Sequence, residues 1–303
     1  MGAVSIKELM EKVGRIRVLT NRLVDDELSG NYHSTFKGQG VEFDEVRPYE
    51  VGDDVRSIDW NVTARTGMPY IKRFSEEREL TILFMVDVSG SQSYGSGGRT
   101  KAELSAELTA LLALTAIRNQ DKVGLILFAG SIVKYIPPRK GRDSVMRLVR
   151  EVLAAGEGAE GSTDISGALR FLNGVQKRKA VVFLVSDFLR SRGAPDDRET
   201  YERLVRAAAR RHDMICVEVS DPAENELPDV GLVELEDPET GEMTLVDTSS
   251  ARVRREFAAR AAAEKEELKR FFAKSALDTI SVSTDRPYVD DVRALFRRRA
   301  RKR

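Results

Sequence analysis

Cysteine and histidine are the scarcest reactive groups in this chain. Its 303 residues include one cysteine, Cys216, and two histidines, His33 and His212. A single cysteine rules out a disulfide within the chain and fits a reducing compartment. In the apolar run "MICVEV" it reads as a small buried hydrophobe. The histidines lie far apart, one in a polar stretch and one at a helix end, so both are expected at the surface and neither as a ligand or base. Net charge is missing too: 49 Lys and Arg face 49 Asp and Glu, which points to no specific nucleic acid and no membrane surface. No stretch reaches the roughly 18 apolar residues of a spanning helix, and the opening "MGAVSIKELMEKVGRIRVL" is too charged for a signal peptide. A cytoplasmic protein without a transmembrane segment is expected. No G-x-x-x-x-G-K-[ST] string occurs, which removes a nucleotide P-loop.

The charges that are present are unevenly placed. Asp221 to Asp247 holds ten acidic residues and no basic one, whereas "RALFRRRARKR" at the end holds seven basic residues and no acidic one. The acidic stretch contains two short β-type runs around a Gly turn and reads as a hairpin at a sheet edge. The basic end reads as a solvated helix terminus, with phosphate-rich polymers or anionic lipid as the functional alternative.

Apolar periodicity sets the fold class. Ile6, Leu9, Val13, Ile16, Leu19 and Leu23 make one helical stripe, followed by a turn-rich stretch. From Leu80 the texture alternates. "LTILFMVDV", "VGLILFAG", "AVVFLVSDF" and "MICVEVS" are near-continuous apolar runs, as expected of strands covered on both faces of a parallel sheet. Helical segments separate them, and "SIVKYI" is close enough to the second run to pair with it antiparallel. A long helix over about 251–274, a strand "DTISVST" and a helix over 288–299 complete the pattern. Right-handed crossovers and a doubly wound, mostly parallel α/β sheet follow.

In such a sheet, ligands collect beyond the carboxyl ends of the strands. Three loops bring oxygen there. "DVSGS" supplies Asp87, Ser89 and Ser91, whose alternate side chains point one way in extended chain. "GSTDI" supplies Thr163, with Asp164 as a helix cap, and "VSDF" supplies Asp187 at a strand end. Carboxylates and hydroxyls without histidine or cysteine are hard ligands that suit Mg²⁺ or Mn²⁺. A dication so held would attract a carboxylate from outside. "STFK", Ser34 to Lys37, lacks the companion motifs of the S-x-x-K acyl-transferases. Ser89 stands where an aspartyl-phosphate enzyme would need a second carboxylate.

This arrangement resembles the metal-ion-dependent adhesion site of von Willebrand factor A domains: "DVSGS", a loop threonine and a strand-end aspartate, in that order. A second resemblance lies upstream. "GVEFDEVRPYEVGDDVRSIDWNVTARTG" is similar to the signature of the domain of unknown function 58 family, at Glu42, Arg47, Tyr49, Gly52, Asp53, Arg56, Asp59, Trp60, Ala64 and Arg65. Members of that family carry a von Willebrand factor A-like domain directly after it. The implied organisation is an N-terminal helix (1–32), the signature segment (33–78) and the A-like domain (79–300), with 221–247 an acidic hairpin insertion. In the signature, Arg47, Tyr49, Asp53, Arg56, Asp59 and Trp60 read either as a self-stapled polar loop of Arg–carboxylate pairs or as a docking face for a partner.

The resulting expectation is a non-enzymatic module that binds protein through metal, with Asp87, Ser89, Ser91, Thr163 and Asp187 as its ligands. The family resemblance implies a MoxR-type AAA+ ATPase as partner and a role in assembly or maturation of other proteins. A metal-dependent phosphohydrolase using the same oxygens is the alternative, though it lacks a recognisable base or nucleophile.

Overall fold

The computed structural model describes residues 6–24, 26–36, 42–75, 79–156, 162–189, 198–236 and 243–302. Two compact units emerge, one formed by 1–35 with 81–303 and the other by 36–80.

The larger unit opens with α1 (Ile6–Leu23) and α2 (Asp26–Thr35). The single helix expected for 1–32 is therefore two helices, and the second runs through the stretch expected to be turn-rich. What holds α2 is tertiary contact. Tyr32 is buried, its hydroxyl donates to Asp121 Oδ2 at 2.6 Å, and the Thr35 hydroxyl donates to the Phe296 carbonyl at 2.9 Å. Such contacts override the weak helix preference of "DELSGNYHST".

The smaller unit comprises β1 (Glu42–Pro48), α3 (Trp60–Thr66) and β2 (Tyr70–Ser75), with a 3-10 turn at Val55–Ser57. β1 and β2 pair antiparallel. Asp59 caps α3 by accepting from the amides of Asn61 and Val62 at 3.0 and 3.3 Å, and Gly67 ends it in the left-handed region at φ 74°. The expected polar loop is thus a hairpin with a short capped helix between its strands.

After β2 come β3 (Thr81–Asp87), α4 (Lys101–Arg118), β4 (Lys122–Phe128), β5 (Ile132–Arg139), α5 (Arg142–Gly156) and α6 (Ile165–Val175). Then follow β6 (Val181–Ser186), α7 (Arg198–Arg211), β7 (Asp213–Ser220), β8 (Leu232–Glu236), β9 (Met243–Asp247), α8 (Ala251–Lys274), β10 (Asp278–Ser283) and α9 (Val289–Lys302). Six strands form one sheet in the order β10-β7-β6-β3-β4-β5. All neighbours are parallel except β4 and β5. This is the doubly wound, mostly parallel α/β sheet expected of a von Willebrand factor A-like domain. Its order reverses between β3 and β6, the switch point at which ligands collect.

Burial on both faces explains the unbroken apolar strands. Leu83, Met85, Val182, Leu184, Met214 and Cys216 pack with α6, α7 and the last turn of α8, where Phe271 and Phe272 are buried. α4 covers the opposite face, with α1 and α5 against it. Gly124 of β4 is required here: a Cβ would sit 2.9 Å from the Ile136 carbonyl of β5 and from Leu83. Burial also pushes the Cys216 thiol up to about 12, consistent with an inert core residue.

Three expectations need correction. Among the described residues β8 and β9 pair only with each other, so the acidic hairpin is a separate ribbon, and the edges of the main sheet are β5 and β10. The basic end is not merely a solvated terminus. Arg299 is buried and bridges Asp278 and Asp213 at 2.9 and 2.5 Å, at the starts of β10 and β7. His212 is 2% exposed, and among the described residues neither ring nitrogen has a hydrogen-bond partner; the side chain of His33 lies outside the described residues.

Burial, and then the neighbouring Arg211 charge, lower the His212 pKa from its ordinary 6.5. The unfolded chain therefore binds a proton near pH 6.5 that the native state takes up only at lower pH. Stability from the neutral imidazole is complete above 6.5 and lost as pH falls below it. In urea unfolding, the stability difference between His212→Leu and wild type is expected to stay constant well above pH 6.5 and to move in the variant's favour as pH falls below 6.5. A difference independent of pH would contradict this.

Candidate metal centre

Parallel pairing delivers the first two carboxylates. Val86 of β3 registers with Val185 of β6, so Asp87 and Ser186 end adjacent strands side by side. The Ser186 hydroxyl donates to Asp87 Oδ2 at 2.6 Å, and the Ser89 amide donates to Asp87 Oδ1 at 3.0 Å. Asp187 follows directly on the neighbouring strand.

Backbone bonds then lash the loops together. The Val88 amide donates to the Phe128 carbonyl, and the Asp164 amide to the Ala129 carbonyl, both at 2.8 Å. The second bond carries Thr163 to the site, while the Asp164 side chain caps α6 through the Gly167 amide at 2.8 Å, as its sequence position suggests. Phe188 sits in the left-handed region at φ 57°, which costs a bulky residue on the order of 1–3 kcal/mol. Its ring packs edge-on against Phe272 at 5.1 Å, and that burial holds the turn just after Asp187.

The five residues expected as ligands meet. The Thr163 hydroxyl donates to Ser89 Oγ at 2.8 Å, Ser89 Oγ and Ser91 Oγ are 3.2 Å apart, and the Ser91 hydroxyl donates to Asp187 Oδ2 at 2.7 Å. All five are buried. An octahedral Mg²⁺ site with bonds of about 2.0–2.1 Å has neighbouring oxygens about 2.8–3.0 Å apart. The Thr163–Ser89 and Ser89–Ser91 spacings of 2.8 and 3.2 Å are compatible with that range, and hydroxyls with carboxylates are the oxygen donors a small hard dication takes. Among the described residues no group of three or more His, Cys, Asp or Glu is arranged for a metal, which leaves a site of hydroxyls backed by two carboxylates.

Four further side chains complete the cluster. Gln92 Nε2 and Lys101 Nζ both donate to Asp187 Oδ2, at 3.0 and 2.8 Å, while the Leu189 amide donates to Asp187 Oδ1 at 3.1 Å. Lys101 also bonds the Glu224 carboxylate, just beyond β7. Burial opposes the Lys101 charge, but Asp187 and Glu224 together raise its pKa above the ordinary value. Ser186 and Gln92 adjoin the sequence motifs and were within reach of inspection. Lys101 and Glu224 carry no local signal.

The signature residues fall in the smaller unit. Arg47 pairs with Asp53 at 2.7 Å, Asp53 also accepts from the Glu50 amide at 2.8 Å, and Asp59 pairs with Lys72 at 3.4 Å. Tyr49 is half-buried and Arg56 exposed. Trp60 is 70% exposed, and Val51, Val55 and Met68 also face outward.

The family model for proteins of unknown function DUF58 matches residues 45–267. The chain belongs to that family. The uncharacterized protein Rv1480 of Mycobacterium tuberculosis is 30% identical over 294 residues, spanning 96% of this chain and 90% of the relative. The uncharacterized protein Mb1516 of Mycobacterium bovis matches equally. Among solved structures, the conserved hypothetical protein BatB from Bacteroides thetaiotaomicron is similar with a TM-score of 0.47 and 16% identity, covering 73% of this chain and 99% of that one. The VWA domain of SpRpn10 is similar with a TM-score of 0.38 and 10% identity, over 71% and 94%. Among the described residues no helix of this DUF58 protein is long and apolar enough to cross a membrane.

Burial, and then the charge of Asp187, push the Asp87 carboxyl up to about 7 from 3.8. Between those values the native state binds more protons than the unfolded chain, so stability from this group falls as pH rises from 3.8 to about 7 and levels off above it. In EDTA, Asp87→Asn is expected to gain on the wild type in thermal denaturation as pH climbs from 5 to 8. A constant gap would show that Asp87 is already ionised throughout.

Proposed function

We propose that this protein is a non-enzymatic, metal-dependent protein-interaction module. Ser89, Ser91 and Thr163 would hold Mg²⁺, or Mn²⁺ in its place, with Asp87 and Asp187 supplying charge directly or through water. A bound dication supplies an electrophilic coordination position. An aspartate or glutamate from another protein would complete the shell. The observation that carries this proposal is the linked hydroxyls of Ser89, Ser91 and Thr163, drawn from two separate loops and backed by the carboxylates of Asp87 and Asp187. Every charged or hydroxyl group in the cluster is engaged in holding its neighbours, which suits a binding site better than one that must move protons.

For the partner we propose a MoxR-type AAA+ ATPase, with this protein as its accessory in assembling or maturing other proteins in the cytoplasm. Family membership supports that choice. Trp60 supports a second point of contact, because an exposed tryptophan in the smaller unit is the residue type of an interface anchor.

A pull-down of the cognate ATPase by the tagged full chain tests this. Retention is expected in Mg²⁺, and loss in EDTA or with Asp87→Ala; equal retention in all three defeats the metal bridge. Trp60→Ala is expected to weaken retention while changing stability by no more than about 0.5 kcal/mol, as for a surface side chain. Undiminished retention would remove Trp60 from the interface.

A further inference from the structure

Lys101 is the feature of the site that a simple oxygen cradle does not need. It is the first residue of α4, its side chain is fully buried, and its ammonium lies 2.8 Å from Asp187 Oδ2. That oxygen is the one that accepts from Ser91. A positive charge thus already rests on the carboxylate that a dication held by Ser91 would draw upon. In a dry site two cations sharing one carboxylate repel strongly, because little solvent screens them.

Glu224 gives the ammonium a second anchor. It bonds Lys101 from the 3-10 turn after β7, and its own side chain keeps a 24% opening to solvent. That turn is fixed by Asp221, whose carboxylate accepts from the Ser96 amide at 2.9 Å and whose amide donates to Glu224 Oε2 at 2.9 Å. Lys101 can therefore shift its weight from Asp187 to Glu224 without losing a counter-charge, and buried ions tolerate no less.

We infer that Lys101 is a tethered cation that competes with the divalent ion for Asp187, with Glu224 as its alternative anchor. The inference rests on the metal site proposed above. Its consequence is that the protein alone binds metal weakly, and that a partner's carboxylate, by adding a ligand, secures the ion against the competing ammonium.

The test compares the full-length wild type, Lys101→Met and Glu224→Gln. Mn²⁺ binding is read by electron paramagnetic resonance and Mg²⁺ binding by calorimetry, with circular dichroism as a check on folding. Methionine keeps the buried stem and removes the charge, so Lys101→Met is expected to bind Mn²⁺ at least about ten-fold tighter than wild type. It is also expected to gain more melting temperature from Mg²⁺. Glu224→Gln leaves the ammonium to Asp187 alone and is expected to bind several-fold more weakly. A folded Lys101→Met with wild-type or lower affinity overturns the competition while leaving the metal site standing. Binding by Lys101→Met but not by wild type supports the competition and removes the resident metal from the natural chain. No binding by any of the three proteins overturns both. Should Lys101→Met fail to fold, Glu224→Gln decides, and affinity at or above wild type overturns the inference.

Discussion

Two carboxylates at the ends of neighbouring parallel strands govern the rest of this site. Asp87 and Asp187 arrive together because β3 and β6 pair in register at the sheet's switch point. Buried carboxylates repel and lose hydration, so the surroundings must supply donors and positive charge. The chain supplies the Ser186, Ser91 and Gln92 side chains, two backbone amides and the Lys101 ammonium. Under the proposed function, a hard cation among the three hydroxyls would complete the balance.

The same constraint explains the loop structure. Thr163 is held near the serines by a backbone bond to the end of β4, not by a strand of its own. Phe188 accepts an unfavourable backbone so that the chain can turn directly after Asp187, with Phe272 offsetting the cost. Sequence-distant elements are drawn in by charge: Lys101 reaches Asp187 across 86 positions and Glu224 across 123.

The strands, and the loop residues that meet beyond their ends, are legible because their signals are local. An apolar run ending in Asp at Val181–Asp187 repeats that of Thr81–Asp87, and burial on both faces leaves no other place for such runs. The antiparallel β5 was legible from a short connection. The helix α2 was not, because "DELSGNYHST" has no strong stripe and folds on contacts such as Tyr32 with Asp121. Lys101 was hidden for a related reason. A lysine in the first turn of a helix reads as solvent-facing, and only the fold turns its head inward. His212 misled in the same way, as did Arg299, whose neighbours suggested a solvated terminus. Polar residues buried by tertiary partners leave no trace in periodicity.

The central claim is that a hard dication sits among Ser89, Ser91 and Thr163. Anomalous diffraction from crystals of the full chain grown in Mn²⁺ tests it most directly. A peak bonded to both serine hydroxyls, with Thr163 and the two aspartates around it, is the predicted result. A well-ordered site with water in that position, or manganese only elsewhere on the molecule, would contradict the account.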